Sequence, residues 1–282
     1  MNSVVLLTDF STACQHAALY AARLTLQYKS AKLVLCCTHE AALFNNSETL
    51  PDTEARKNAV LEKLKQLHRR LLPYIYPLTS IRYRCETGTH AAIVNKVAIE
   101  EYASLVITGL NMDGDKRQWL TGFETQNVPD TCLCPVLLVP GQTAITAITK
   151  IVFACDLEDM QDTIEQSGLL NILNNLQARL IVLHVDKPGK ASSTAAVQQL
   201  PVIQHLLRPY KPSYFYLENE LPQMAIARFT REHDASIVMI VRKRKGLFSK
   251  LFHASLTRSL AVETAVPMLI LHATKNYPVR KI

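Results

Sequence analysis

No apolar run in the sequence approaches the ~20 residues that a membrane-spanning helix needs, so no span is expected. The chain opens MNSVVLLTDFS, without a basic leader followed by a cleavage site, and nothing there marks it for secretion. Cys-x-x-Cys is absent. The seven cysteines (Cys14, Cys36, Cys37, Cys85, Cys132, Cys134 and Cys155) are odd in number and sit mostly inside apolar strand patterns. The nine histidines cluster neither with Cys36-Cys37 nor with Cys132-x-Cys134, so no metal set is expected. Reduced thiols and the missing leader together predict a cytoplasmic protein. One Trp, and no interleaving of aromatic with basic residues, argues against a nucleic-acid module. The net charge of +7 is spread along the chain, apart from the run Arg242-Lys243-Arg244-Lys245.

What the sequence does have is a repeat. Residues 31–37 read AKLVLCC and residues 178–184 read ARLIVLH; ASLVI at 103–107 returns as ASIVM at 235–239. Asp9 and Asp156 close equivalent openings, and Pro135-VLLVP matches Pro267-MLILH. The offset is 147 from Asp9 to Asp156 and from Ala31 to Ala178, but 132 from Ala103 to Ala235 and from Pro135 to Pro267. The first copy therefore carries about 15 extra residues between Glu40 and Pro77, where a surface connection tolerates insertion. Each copy must bury its own core, which predicts two domains, 1–142 and 148–282, joined by a short uncharged link near Gly141 to Thr149.

Within each copy, short apolar runs alternate with helical periodicity. In the first copy the expected strands are Val4–Leu7, Leu33–Cys37, Ser80–Cys85, Ser104–Thr108 and Pro135–Val139. In the second they are Ile151–Ala154, Leu180–Val185, Ser213–Leu217, Ile237–Val241 and Met268–Leu271. Val60, Leu64, Leu67 and Leu71 recur at helical spacing within an amphipathic helix over 54–72. Ala17, Ala18, Ala21 and Leu24 mark an alanine-faced helix after the first strand, capped by Ser11 or by Thr12 in a Thr12-x-x-Gln15 box. A short helix is expected in the loop after the fourth strand. Strands alternating with helices predict an α/β fold, a five-stranded, mainly parallel sheet in each domain with helices on both faces.

Ligands in such sheets bind beyond the carboxyl ends of the strands, where the strand order reverses. That points to Asp9, Thr38, Gly109 and the following loop in the first copy, and to Asp156, Val185 and the loop after Val241 in the second. The two aspartates have a second reading as helix caps. His39, His90, His184 and His253 have no sequence partner that suggests catalysis, and are read as structural or solvent-facing.

The order and spacing of TDFS, the G-THAAIV-type segment at 88–94, ASLVITG and CPVLLVP, echoed by ASIVMIV, KLFHASLTRSL and VPMLILH, resemble the universal stress protein family in its tandem two-domain form. The resemblance covers nearly the whole chain. It implies two Rossmann-like domains of the adenine nucleotide alpha hydrolase-like type. It also implies a site: ATP-binding members carry Gly-x-x-Gly-x9-Gly-Ser/Thr after the fourth strand, a cradle of backbone amides and a hydroxyl for phosphates. An Asp at the end of the first strand serves the adenosine end.

Here Gly109 and Gly122 keep two of the four marks, with Met112 at the second glycine and Phe123 at the hydroxyl; Gly114 lies nearby. In the second copy Val241 and Arg244 occupy the first two glycine places, while Ala254-Ser255 keeps the hydroxyl. Arg242 and Arg244 offer guanidinium groups for an anion, or else a solvated basic loop paired with acids such as Glu86 or Asp113.

The expected function is therefore a non-enzymatic stress-response module that binds a partner or small ligand, with both nucleotide motifs degenerate. The alternative is an adenine-nucleotide regulator with one competent copy, and ATP or AMP is its candidate ligand. An adenylating enzyme is disfavoured because the Ser-Gly-Gly-x-Asp-Ser type loop is missing after the first strand. The resemblance further implies that the terminal strands pair within one chain as a pseudo-dimer, with homo-oligomers also open.

Overall fold

The computed structural model describes residues 2–38, 53–110, 128, 132–155, 166–186, 194–219, 221–242, 260 and 263–272. The chain separates into two compact units, Met1–Ala147 and Ile148–Ile282.

Unit 1 runs β1 (Ser3–Leu7), α1 (Thr12–Tyr28), β2 (Lys32–Thr38), α2 (Thr53–Leu71), β3 (Ser80–Glu86), α3 (His90–Glu100), β4 (Ala103–Leu110) and β5 (Val136–Pro140). Its strands lie in the order β3-β2-β1-β4-β5, and every pairing is parallel. The order reverses at β1, with β2 and β3 added on one side of it and β4 and β5 on the other. β1 is buried along its whole length, and β2 in all but its first residue. Such continuous apolar runs belong to strands covered on both faces.

α1 lies close to the sheet because its inner face is small. Ala17, Ala18, Ala21 and Ala22 are fully buried. Its cap is Ser11, whose hydroxyl accepts the Cys14 amide at 3.3 Å. The Thr12 capping box is thereby corrected: Thr12 is already the first helical residue, and Gln15 reaches back to the Phe10 carbonyl at 2.9 Å. Ser11→Ala is expected to cost about 1 kcal/mol in denaturant unfolding, the usual value of a hydroxyl cap. α2 buries Val60, Leu64, Leu67 and Leu71, as the periodicity predicts.

Unit 2 runs β6 (Lys150–Ala154), α4 (Gln166–Leu176), β7 (Arg179–Asp186), α5 (Thr194–Leu207), β8 (Ser213–Glu218), α6 (Pro222–Glu232), β9 (Ile237–Arg242) and β10 (Met268–His272). Its order, β8-β7-β6-β9-β10, is that of unit 1 repeated strand for strand, again parallel throughout. α4 presents Leu169, Ile172, Leu173 and Leu176 to the core. Pro222 opens α6, where its missing amide hydrogen breaks no helical bond.

The extra length of the first copy lies where the offsets place it. From Thr38 to Ser80 there are 41 intervening residues, against 26 from Asp186 to Ser213, a difference of 15. Part of it is helix, since α2 has 19 residues and α5 has 14.

Candidate functional site

The carboxyl edge of the unit 1 sheet is built around the turn from β1 to α1. Leu7 lies opposite both Cys36 of β2 and Thr108 of β4, so Asp9, Thr38 and Gly109 reach the same edge. The Thr8 amide donates to the Cys36 carbonyl at 2.9 Å, one step beyond the paired residues. The chain then turns sharply. Phe10 takes a left-handed conformation, φ 64°, which a bulky side chain adopts only at a cost of about 1–3 kcal/mol. Local bonds hold it there. The Phe10 amide donates to Thr8 Oγ1 at 3.0 Å, and the Ser11 amide donates to Asp9 Oδ1 at 2.8 Å.

Asp9 is thus a buried carboxylate whose Oδ1 organises the turn into α1. The bond is an Asx turn that precedes the helix, whose cap is Ser11. Asp9→Ala removes that acceptor, while Asp9→Asn keeps an oxygen in place. Asp9→Ala is expected to lose about 1 kcal/mol of stability and Asp9→Asn much less, read by chemical denaturation. Equal losses would show that the charge, not the acceptor, matters to the fold.

Gly109 has a structural reason of its own. A Cβ there would lie 2.5 Å from the carbonyl carbon and oxygen of Ala13 and 2.6 Å from the Cys14 nitrogen. The first turn of α1 rests against the bare backbone of β4, so glycine is required before any ligand is considered. Thr38 is fully buried at the end of β2. Thr108, in sequence only the last residue of an expected strand, is also fully buried, and its hydroxyl has no hydrogen-bond partner among the described residues. A buried hydroxyl without a partner at a sheet's switch point calls for explanation.

The thiols nearby are buried and held protonated. Burial first, and then the Asp9 charge, pushes Cys14 up to about 12; burial and then Glu86 does the same to Cys36. At the opposite end of the sheet, before β5, Cys132 is likewise raised to about 12, chiefly by burial. A thiol that stays protonated at neutral pH neither attacks nor ligates readily. All seven cysteines are free, and among the described residues no group of three or more His, Cys, Asp or Glu could hold a metal.

In unit 2, Val185 is buried within β7, between two polar residues that face the other way. His184 Nδ1 lies 2.9 Å from the Cys155 carbonyl, and since a carbonyl only accepts, that nitrogen donates. His184 Nε2 is 3.2 Å from Asp186 Oδ1, and Tyr216 donates to Asp186 Oδ2 at 2.8 Å. His184 and Asp186 are each 5% exposed. In the sequence alone His184 has no partner at a telling spacing. The missed signal was period two: His184 and Asp186 share a strand face, and Tyr216 is the register partner of His184.

Arg242 ends β9 opposite His272. Glu86, offered above as a partner for the basic loop, is instead held in unit 1, by Arg84 at 2.5 Å and Lys96 at 2.8 Å. Gly122, Asp156, Arg244 and Ser255, together with Met112, Asp113, Gly114, Phe123 and the expected short helix, lie outside the described residues.

Residues 1–140, nearly all of unit 1, match the model of the universal stress protein family. Through this unit the chain belongs to that family. The fold of the whole chain is similar to that of a universal stress protein from Archaeoglobus fulgidus DSM 4304, with TM-score 0.68, 12% identity and 98% of each chain covered. A functionally unknown protein from Pseudomonas aeruginosa PAO1 matches with TM-score 0.56 and 20% identity over 96% of this chain and 92% of that one. The cytoplasmic domain of a prokaryotic cation chloride cotransporter matches with TM-score 0.53 and 12% identity over 96% and 95%. At these identities the likeness is one of fold. No curated protein matches the sequence. Among the described residues of this universal stress protein, no helix is long and apolar enough to cross a membrane.

Proposed function

We propose that this universal stress protein is a non-enzymatic, cytoplasmic stress-response module that works by binding a partner or small ligand, with the nucleotide motif degenerate in both units. The observation that carries this reading is at Gly109. The bare backbone that a phosphate would approach is met by the α1 turn, and one oxygen of the nearby Asp9 carboxylate, Oδ1, already accepts the Ser11 amide. In sequence, Met112 and Phe123 replace a glycine and a hydroxyl of the motif, and Val241 and Arg244 replace two glycines in the second copy. The Cys14 and Cys36 thiols of α1 and β2 are raised to about 12, chiefly by burial, and stay protonated at neutral pH. The second domain, 148–282, and the pseudo-dimer belong to the same proposal. β5 and β10 are apolar strands, each last in the order of its own sheet.

A second reading, an adenine-nucleotide regulator binding ATP or AMP in one unit, has one observation in its favour. The buried Thr108 hydroxyl at the switch point has no partner among the described residues. A ligand oxygen would satisfy it.

The test is to denature the purified protein and identify the released small molecules by mass, then to record the melting curve with added ATP and AMP. No recovered nucleotide and no shift in melting temperature are expected. About one nucleotide per chain would overturn the degenerate reading. Thr108→Val, which keeps the shape and removes the hydroxyl, would then weaken that binding.

A further inference from the structure

β8 is the outermost strand of the unit 2 sheet. It pairs with β7 from Ile181↔Ser213 to Asp186↔Glu218, and among the described residues no strand pairs with its other side. An open edge presents a row of amides and carbonyls ready to accept another strand, and proteins usually guard it with charge. The matching edge of unit 1 is guarded in that way. β3 reads SIRYRCE, and its Arg84 is tied to Glu86, Glu100 and Glu101.

β8 reads SYFYLE and has no charge before Glu218. Tyr214, Phe215 and Tyr216 are 38%, 39% and 48% exposed. The two edges occupy the same place in the repeat, so the unguarded one is a feature of this copy rather than of the fold.

The charges that flank β8 say what fits it. Arg208 and Lys211, both exposed, precede the strand, and Glu218, also exposed, ends it. A strand with a basic beginning and an acidic end is complementary to itself when reversed. We propose that two copies of the chain associate by antiparallel pairing of their β8 strands. Centred on Phe215, the pairing sets Tyr214 of one copy opposite Tyr216 of the other, the aromatic cross-strand pair that stabilises such ladders. It also sets Glu218 of each copy opposite Pro212 of the other, one residue from Lys211, twice over by the two-fold axis. A parallel approach would set like ends together.

Sedimentation velocity of the full chain across a wide concentration range tests this. A concentration-dependent dimer is expected. Lys211→Glu and Glu218→Lys should each raise its dissociation constant about threefold to tenfold, since each ion pair occurs twice. The combined exchange should restore it toward the starting value. Tyr214→Lys should abolish the dimer while far-ultraviolet circular dichroism stays unchanged. A monomer at every concentration would overturn the proposal. So would a dimer indifferent to Tyr214→Lys and to both charge changes, which would place the contact elsewhere. Because these three residues lie on an edge of unit 2, a failed nucleotide test leaves this outcome unaffected.

Discussion

Gly109→Ala is expected to destabilise unit 1 by about 3 kcal/mol, at the upper end of what overpacking a well-filled site costs. The added methyl would lie 2.5 Å from the Ala13 carbonyl, which is backbone in the first turn of a helix and not the yielding end of a side chain. To relieve the clash, α1 must lift from β4. That movement would drag on Ser11, whose hydroxyl caps the helix, and on the strained turn at Phe10. For a unit of this size, 3 kcal/mol corresponds to a drop of about 6–12 °C in melting temperature. Calorimetry of the variant beside the parent would show the drop. The prediction fails if the variant melts within about 1 °C of the parent. There is a practical consequence: loss of ligand binding on Gly109→Ala reports the fold and not the ligand. Asp9→Asn and Thr108→Val are the cleaner probes, since each preserves the shape of its site.

The repeat made the architecture legible. Each expected strand is present, longer by one or two residues at its ends or shifted by one, as with Val136–Pro140 against the expected Pro135–Val139. The two strand orders agree because the duplicated pattern dictates both. What escaped the sequence depends on backbone geometry or on contacts across strands. Thr12-x-x-Gln15 fits a capping box, but the left-handed turn at Phe10 starts the helix one residue early and hands the cap to Ser11. Gly109 matched a phosphate-binding pattern, and sequence alone holds no record of how closely Ala13 approaches it. The His184–Asp186–Tyr216 cluster joins neighbouring strands 30 residues apart, so only the β7–β8 register reveals it. The ion pairs on β3 were missed for the same reason.

The largest of those missed features is Glu101, and Glu101→Ala is expected to cost about 2–3 kcal/mol at neutral pH. The residue caps the carboxyl end of α3, where the helix dipole disfavours a negative charge. It is 4% exposed. Three cations offset both penalties: Lys32 at 2.7 Å, Arg84 at 3.0 Å and Arg82 at 3.8 Å. These come from β2 and β3, so one carboxylate ties α3 to two strands. Removing it leaves the three positive charges facing one another. Stripping one partner from a buried pair costs about 3–5 kcal/mol, and the figure here is lower because Lys32 and Arg84 reach water in part.

Burial alone would raise the Glu101 carboxyl, but hydrogen bonds from Lys32 and Arg84 hold it below the usual range. Glu86 is lowered in the same way: burial opposes, and Lys96 and Arg84 prevail. A carboxylate depressed in the folded state stabilises fully above its unfolded pKa of about 4.3, and that contribution disappears as pH falls through the folded value. The gap between wild type and Glu101→Ala should therefore be widest near neutral pH and should close progressively below about pH 4. Urea unfolding of both proteins at several pH values gives the curve directly. A gap that stays constant down to acid pH would mean that Glu101 acts through packing alone, and the charge argument would be wrong.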